Sequence, residues 1–213
     1  MRDLTRSAAL FLPGEPTIPS LQQAATACTG CDLYQRATQT VFGEGPVHAT
    51  IMFVGEQPGE QEDRTGHPFV GPAGKILDKA LAEVAIARES VYVTNAVKHF
   101  KWEPQGKRRK HKKPSATEIA ACRPWLEAEV QAVKPRTIVC LGVTAAQSVF
   151  RKVARLNELR GRPWDTLLAS NVFVTIHPSA VLRFPDAKQR QEEYRRFVQD
   201  LRRIRQFLQT QAA

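Results

Sequence analysis

Four short apolar runs, each stopped by a glycine or a polar residue, alternate along the chain with stretches whose apolar residues recur at helical spacing. Ile51-Met52-Phe53-Val54 runs into Gly55 and predicts a buried parallel strand, because a strand covered on both faces is apolar throughout rather than alternating. Val91-Tyr92-Val93, Thr137 to Leu141 and Val172 to Ile176 predict three more. Ile76, Leu77, Ala80, Leu81 and Val84 predict a helix over 73–87, and a further helical stretch falls near 144–153. Tyr194, Phe197, Leu201, Ile204 and Leu208 give one face of a terminal amphipathic helix over 188–209. Ser115-Ala116-Thr117-Glu118 has the form of a capping box. Pro124 lies well inside the pattern that follows, so a break is expected there, with a new helix from near Pro124 to before Pro135. Residues 1–27 carry three prolines and little pattern, and are read as a partly extended N-terminal arm with one short helix; residues 28–213 are read as one domain. Strands alternating with helices imply an α/β fold, a single-domain α/β/α sandwich around a four-stranded, mostly parallel sheet. Ligands of such sheets bind beyond the carboxyl ends of the strands, which selects the segments from Gly55, from Asn95 and from His177.

The length, 213 residues, suits one such domain, and 42% hydrophobic with 24% charged residues argues against disorder. No apolar run approaches the ~20 residues of a membrane helix. Ala8 to Leu12 is too short for a signal segment and meets Pro13-Gly14, so a cytoplasmic monomer with no membrane partner is expected. Charge adds a partner. Lys and Arg number 31 against 21 Asp and Glu, a net +10, which suggests a polyanion and says nothing about fold. The excess is concentrated: residues 98 to 113 hold eight Lys or Arg (Lys98, Lys101, Lys107, Arg108, Arg109, Lys110, Lys112, Lys113) and one acid, Glu103. With Pro104, Gly106 and Pro114 and no apolar period, this stretch is expected to be a loop. His99, Phe100, Trp102 and His111 are interleaved with the cations, so it can meet phosphates with charge and sugars or bases with rings. The arginines of the C-terminal segment are mixed with acids and are read as a solvated helix face.

Cys28-Thr29-Gly30-Cys31 is a CxxC, a spacing that lets two thiolates reach one metal centre. Cys140 lies mid-strand among Ile138, Val139 and Leu141 and is expected to be an inert core residue. Cys122 supplies a third thiolate and His99 is a candidate fourth ligand. On these residues alone zinc, an iron–sulfur cluster and a redox pair all stay open.

The motifs then accumulate. Gly55-Glu56-Gln57-Pro58-Gly59 with Gly66-His67-Pro68-Phe69-Val70-Gly71-Pro72, Thr94-Asn95-Ala96-Val97-Lys98, Ala121-Cys122-Arg123-Pro124-Trp125-Leu126 and His177-Pro178-Ser179 resemble, in type and order, the uracil-DNA glycosylase superfamily, and within it the iron–sulfur family 4 type. The resemblance spans roughly residues 25 to 205. Two departures, Gln57 where family 4 has Ala and the insert Lys107-Arg108-Arg109-Lys110-His111, resemble the UdgX group, whose members become covalently joined to uracil-containing DNA through the loop histidine. That group's loop usually reads KRRIH; here Lys110 replaces the Ile. A third departure, His99 where a cysteine ligand would stand, is shared with UdgX-like chains. The resemblance implies a [4Fe-4S] cluster held by Cys28, Cys31, His99 and Cys122, with imidazole ligation raising its potential.

It also implies roles. Uracil must leave the base stack to be cleaved. Asn95 can then accept from N3–H and donate to O4, Phe69 can stack on the base, and Gln57 with the amides of the Gly55 turn can bond O2 or a phosphate. His177 can donate to O2 as charge develops on the leaving base. His111 is expected to be neutral among its cationic neighbours and to attack C1′ in place of water, with Glu56 orienting its second N–H. Lys107, Arg108, Arg109 and Lys110 are expected to meet DNA, single-stranded or duplex, Arg109 holding the loop through a phosphate or a carboxylate. The competing readings are a conventional glycosylase that turns over and releases uracil, a non-catalytic single-strand-binding module, and a redox enzyme using the CxxC.

Overall fold

The computed structural model describes residues 7–153 and 155–211. Its helices and strands in chain order are α1 (Ile18–Ala25), β1 (Ile51–Gly55), α2 (Glu60–Thr65), α3 (Pro72–Glu83), β2 (Tyr92–Asn95), β3 (Trp102–Gln105), β4 (Arg108–His111), α4 (Ala116–Val133), β5 (Thr137–Leu141), α5 (Val143–Phe150), α6 (Leu156–Leu159), β6 (Val172–Thr175), α7 (Pro178–Arg183) and α8 (Ala187–Thr210). Every residue of β1 is buried, as its unbroken apolar run requires of a strand covered on both faces. It pairs in parallel with β2 on one side and β5 on the other, and β6 pairs in parallel with β5, giving the order β2-β1-β5-β6. The chain leaves β1 first toward β2 and later toward β5, so the order reverses beside β1, the place where such sheets hold ligands.

Side chains alternate across this sheet into two cores. Met52, Val54, Tyr92, Ile138, Cys140 and Val174 join Leu21, Trp125, Leu126 and Ala145 on one face. Phe53, Val93, Val139, Leu141 and Phe173 join Leu77, Leu81, Phe197, Leu201 and Ile204 on the other. Each large side chain fully buried there contributes roughly 1.5–3 kcal/mol relative to exposure. The α/β/α sandwich is thus built on two helical layers with separate apolar seams. In the described part of the expected arm, Ala8, Leu21 and Ala25 sit in the first core, and the Ala8–Phe11 turn and α1 pack against α4. Among the described residues no helix is long and apolar enough to cross a membrane.

Two expectations are corrected. The basic stretch is a hairpin: Trp102 pairs with His111, Glu103 with Lys110, Pro104 with Arg109 and Gln105 with Arg108. Gly106, at φ +58°, turns the chain with Lys107, the kind of position a tight hairpin gives to glycine. Its strands carry no apolar alternation because they lie outside the main sheet and are held by ionic and ring contacts instead. Helix α4 also runs without a break through Pro124. A mid-helix proline forfeits a backbone bond and clashes with the preceding turn. The buried row Cys122, Trp125, Leu126, Glu129 and Val130 holds the helix together across it. The capping box at Ser115 forms as read, with Glu118 N–H donating to Ser115 Oγ at 3.2 Å and Ser115 N–H to Glu118 Oε2 at 2.6 Å.

Candidate active site

All four main strands point the same way, so their carboxyl ends share one edge. Gly55 closes β1 level with Asn95 at the end of β2. A Cβ on Gly55 would overlap Asn95 Oδ1 and stand 2.7 Å from Phe69 Cζ, so the amide and the ring occupy room that only glycine leaves. Phe69 sits at φ +58°, a left-handed conformation that costs a bulky residue of order 1–3 kcal/mol. Gly74 of α3 makes that turn possible, since a Cβ there would overlap the Phe69 carbonyl. The Phe69 ring lies 6.3 Å from that of His177, inclined by 29°. Asn95, Phe69 and His177 therefore converge at this edge.

His177 caps α7. The Ser179 N–H donates to its Nδ1 at 3.2 Å, and Ser179 Oγ lies 2.8 Å from the same atom. A backbone N–H can only donate, so Nδ1 is unprotonated and the neutral ring carries its hydrogen on Nε2. Burial first, then the charges of Arg183 and His111, lowers the His177 pKa to about 4. The ring is thus a neutral Nε2–H donor at ordinary pH.

His111 reaches this edge from the hairpin. Its Nε2 lies 2.8 Å from Gln57 Nε2 and 3.5 Å from Glu56 Oε1. The Gln57 amide is oriented independently: Lys101 N–H donates to its Oε1 at 3.0 Å, and its Nε2 donates to the Lys112 carbonyl at 2.9 Å. Its NH₂ therefore faces the imidazole, which makes His111 Nε2 the acceptor in this geometry. Glu56 and Gln57 meet the same ring nitrogen, whereas Glu56 was expected at the other. Glu56 is itself held by Thr144 Oγ1, which donates to its Oε2 at 2.5 Å. The His111 pKa is lowered as expected, but for a different reason: partial burial is the main cause, opposed by Glu56, with Arg183 of α7 as the cation that assists. The hairpin's own lysines are not its cause, since pairing sends Lys110 to the face opposite His111.

Arg109, on the His111 face, docks the hairpin. Its Nη1 meets Asp63 Oδ2 at 2.6 Å and Thr38 Oγ1 at 3.2 Å, its Nε meets Glu60 Oε1 at 3.4 Å, and its guanidinium lies 5.4 Å and 5.5 Å from the centres of Phe100 and Trp102. Of the two partners weighed for Arg109, the carboxylate is the one it meets. Lys107, Arg108 and Lys110 are exposed. Lys98, counted with the cations of this stretch, is buried against Glu129 at 2.6 Å and is withdrawn from any nucleic-acid face.

The thiols lie under the opposite helix layer. Cys28 and Cys31 both act electrostatically on Cys122, and burial pushes the Cys31 thiol up to about 11 and the Cys122 thiol up to about 12. Two N–H groups point at sulfur: Trp125 Nε1 donates to Cys28 Sγ at 3.2 Å and Lys98 N to Cys122 Sγ at 3.3 Å. His99 is buried and neutral, its pKa lowered to about 4, with Nε2 at 2.9 Å from Thr40 Oγ1. Among the described residues no three His, Cys, Asp or Glu side chains close on a point as a single metal ion would need. Cys140 is fully buried in β5, as read, with its thiol pKa raised by desolvation.

Residues 42–202, most of the sandwich and all of the edge just described, match the family model of the uracil DNA glycosylase superfamily. The chain belongs to this superfamily. A type-4 uracil-DNA glycosylase of Thermotoga maritima is 39% identical over 196 residues, 91% of this chain and 96% of that protein. One from Sulfurisphaera tokodaii is 34% identical over 198 residues, 89% of this chain and 84% of its own length. One from Archaeoglobus fulgidus is 37% identical over 175 residues, 79% and 83% of the two chains. In this member of the superfamily the third strand in the chain's main sheet, β5, also feeds the site, which sequence reasoning missed. Gly142 follows β5 as Gly55 follows β1, and a Cβ there would stand 3.1 Å from His177 Cβ. That shared strand–glycine signal was available. Thr144 and Asp63 had no such signal, because each acts through a partner distant in sequence, and Arg183 sits in a short helix whose sequence does not show which way it faces.

Proposed function

We propose that this protein is a uracil-DNA glycosylase that cleaves the N-glycosidic bond of deoxyuridine in DNA and then holds the strand through His111. The observation that carries the reading is one cluster. His111 stands 2.8 Å from Gln57 and 3.5 Å from Glu56, at the edge where Asn95, Phe69 and His177 converge. Uracil turned out of the stack presents two carbonyls and an N–H. The Asn95 amide accepts from N3–H and donates to O4, Phe69 covers the ring face, and the Gly55 to Gly59 amides serve O2 or the flanking phosphate. As the C1′–N1 bond breaks, its electron pair goes to the base. The His177 Nε2–H donates to O2, a contribution of about 3 kcal/mol for such a donor. The neutral His111 imidazole gives its Nε2 lone pair to C1′, and the proton on its Nδ1 leaves to water. The product is a neutral alkylated imidazole, which is a poor leaving group, so the chain stays attached. Lys107, Arg108 and Lys110 lie on the solvent side and neutralise phosphates. A monomer on single-stranded DNA is sufficient for these steps.

The second reading is turnover with water as nucleophile. Two observations favour it: the relatives named above are called type-4 uracil-DNA glycosylases, and the His111 Nε2 lone pair is engaged by Gln57. Capture requires that hydrogen bond to be exchanged for C1′. The Cys28, Cys31, Cys122 and His99 donor set fits a [4Fe-4S] cluster better than a lone ion. These four residues would hold the cluster, and the N–H groups that Trp125 and Lys98 present to Cys28 and Cys122 are contacts of the kind that would tune its potential. When bound, the cluster would cross-link the segment of Cys28 and Cys31 to α4 through Cys122.

The test is a uracil oligonucleotide incubated with the protein and run on a denaturing gel, with free uracil measured in parallel. Capture gives a stable complex at one equivalent that His111→Ser abolishes while uracil release continues. Release in many-fold excess of enzyme with no complex selects turnover.

A further inference from the structure

Beneath the base-recognition edge lies an ion pair sealed from solvent, with the Lys98 and Glu129 side chains 1% and 0% exposed. The Lys98 ammonium donates three bonds: to Glu129 Oε2 at 2.6 Å, to Thr94 Oγ1 at 2.6 Å and to the Asn95 carbonyl at 2.8 Å. Its three hydrogens are thereby all used. Glu129 Oε1 accepts from Gly43 N–H at 3.1 Å, Tyr92 OH at 3.0 Å and Thr94 Oγ1 at 2.8 Å. The ammonium also lies 5.1 Å from the Phe42 ring centre. A buried pair of this kind adds little net stability compared with apolar residues of the same shape. What it does provide is direction, because each bond fixes an angle that packing leaves loose. Two of the three acceptors belong to the last two residues of β2, and one of these is Asn95. The backbone N–H of Lys98 is bonded in turn to Cys122 of α4 at 3.3 Å, two turns from Glu129 on the same face of the helix. Helix α4 therefore grips the chain just past Asn95 at both main chain and side chain.

We propose that Lys98 and Glu129 are positioning residues for base recognition: they set the height and tilt of the Asn95 amide over Gly55, and so the enzyme's discrimination for uracil. The clearance there is narrow, since Asn95 Oδ1 and Phe69 Cζ already fill the space above Gly55. A shift of β2's end therefore misplaces the amide against the base or drives it into the ring. This rests on the reading of Asn95 as the base-contacting amide.

The test is a double-mutant cycle on single-turnover uracil release. Lys98→Met with Glu129→Gln removes both charges, keeps side-chain size and leaves an acceptor for Gly43, Tyr92 and Thr94. The paired variant is expected to lose roughly 10- to 100-fold in rate and to weaken discrimination between uracil and cytosine oligonucleotides, as misplacement by a fraction of an ångström does. In an Asn95→Ala background the same pair should change the rate by less than about twofold, because the group it positions is gone. Thr94→Val, equal in volume, runs the same cycle if the pair does not fold, with a smaller loss of the same sign. A pair that keeps wild-type rate and discrimination, or whose loss multiplies fully with that of Asn95→Ala, overturns the proposal and leaves a purely structural pair. If Asn95→Ala alone keeps wild-type rate and discrimination, it is the reading of Asn95 that falls, and this proposal with it.

Discussion

Replacing Arg109 by Leu separates the hairpin from the body of the enzyme. The Arg109 side chain is 16% exposed and its partner Asp63 is 0% exposed, with 2.6 Å between them. Deleting one member of such a pair costs about 3–5 kcal/mol, because the other is left buried and charged. Asp63 keeps the Thr38 N–H at 2.9 Å and the Thr38 hydroxyl at 2.6 Å, which puts the expected cost near the lower end, about 3 kcal/mol. Two strands alone are marginal in water, so this cost falls on docking of the hairpin and not on the four-stranded sheet. About 3 kcal/mol is roughly a hundredfold in the docking equilibrium. Amide hydrogen exchange should therefore quicken by about that factor across residues 102–111 while β1 and β5 keep their protection. Capture of DNA, which needs His111 in place, should slow in step, and uracil release should slow less. Unchanged exchange in the hairpin would refute the docking argument. Wild-type capture from a freely exchanging hairpin would refute the role given to His111.

Three further outcomes follow from the same geometry. Gly55→Ala is expected to cost at least about 100-fold in uracil release by displacing Asn95 and Phe69, at nearly unchanged secondary structure by circular dichroism; activity within about threefold of wild type would show that the pocket lies elsewhere. His177, with a folded-state pKa of about 4 against 6.5 for the free side chain, binds fewer protons folded than unfolded. Its contribution is therefore full above pH 6.5 and lost as pH falls toward 4, an upper limit of about 3 kcal/mol, less because the ring is only partly buried. Urea midpoints should show the wild type losing its margin over His177→Gln across that window, and a margin independent of pH would contradict the assignment. The purified protein is expected to be brown and to contain iron, with Cys122→Ser bleaching it; a colourless, iron-free wild type isolated without oxygen would remove the proposed ligand set.

The sandwich was legible because its strands are buried on both faces, which leaves runs such as Ile51 to Val54 that no exposed element tolerates. The site was legible to the extent that strand-end residues carry it: Gly55, Asn95 and His177 each sit where a strand runs out. The hairpin was not, because its order comes from Arg109 reaching Asp63, a contact between residues 46 apart in sequence, and charged strands show no apolar period. The expected break at Pro124 failed for a related reason: tertiary burial of Cys122, Trp125 and Glu129 outweighs one missing backbone bond. The burial of Lys98 was not legible, because composition counts a cation without its burial and its partner Glu129 gives no sign in sequence of facing inward.

The proposed chemistry is divided between two supports. Asn95 ends β2, His177 follows β6 and Phe69 packs into the second core from the connection between α2 and α3, with Asn95 tied further by the Lys98 ammonium. His111 rests on a hairpin anchored through the Arg109 guanidinium, the Gln57 amide and the Trp102 indole N–H, which donates to the Arg36 carbonyl at 2.8 Å. On the proposed reading, recognition and bond cleavage draw on the strand ends and the second core, and the fate of the sugar on the hairpin. Such a division allows an enzyme that releases uracil and one that keeps the strand to share the same pocket. The choice between them then reduces to whether His111 exchanges its Gln57 contact for C1′ faster than water arrives. Gln57→Ala is the substitution that bears on it: freeing the imidazole lone pair removes a competitor for C1′ but loosens the ring, so faster capture would identify Gln57 as a latch and slower capture as a guide.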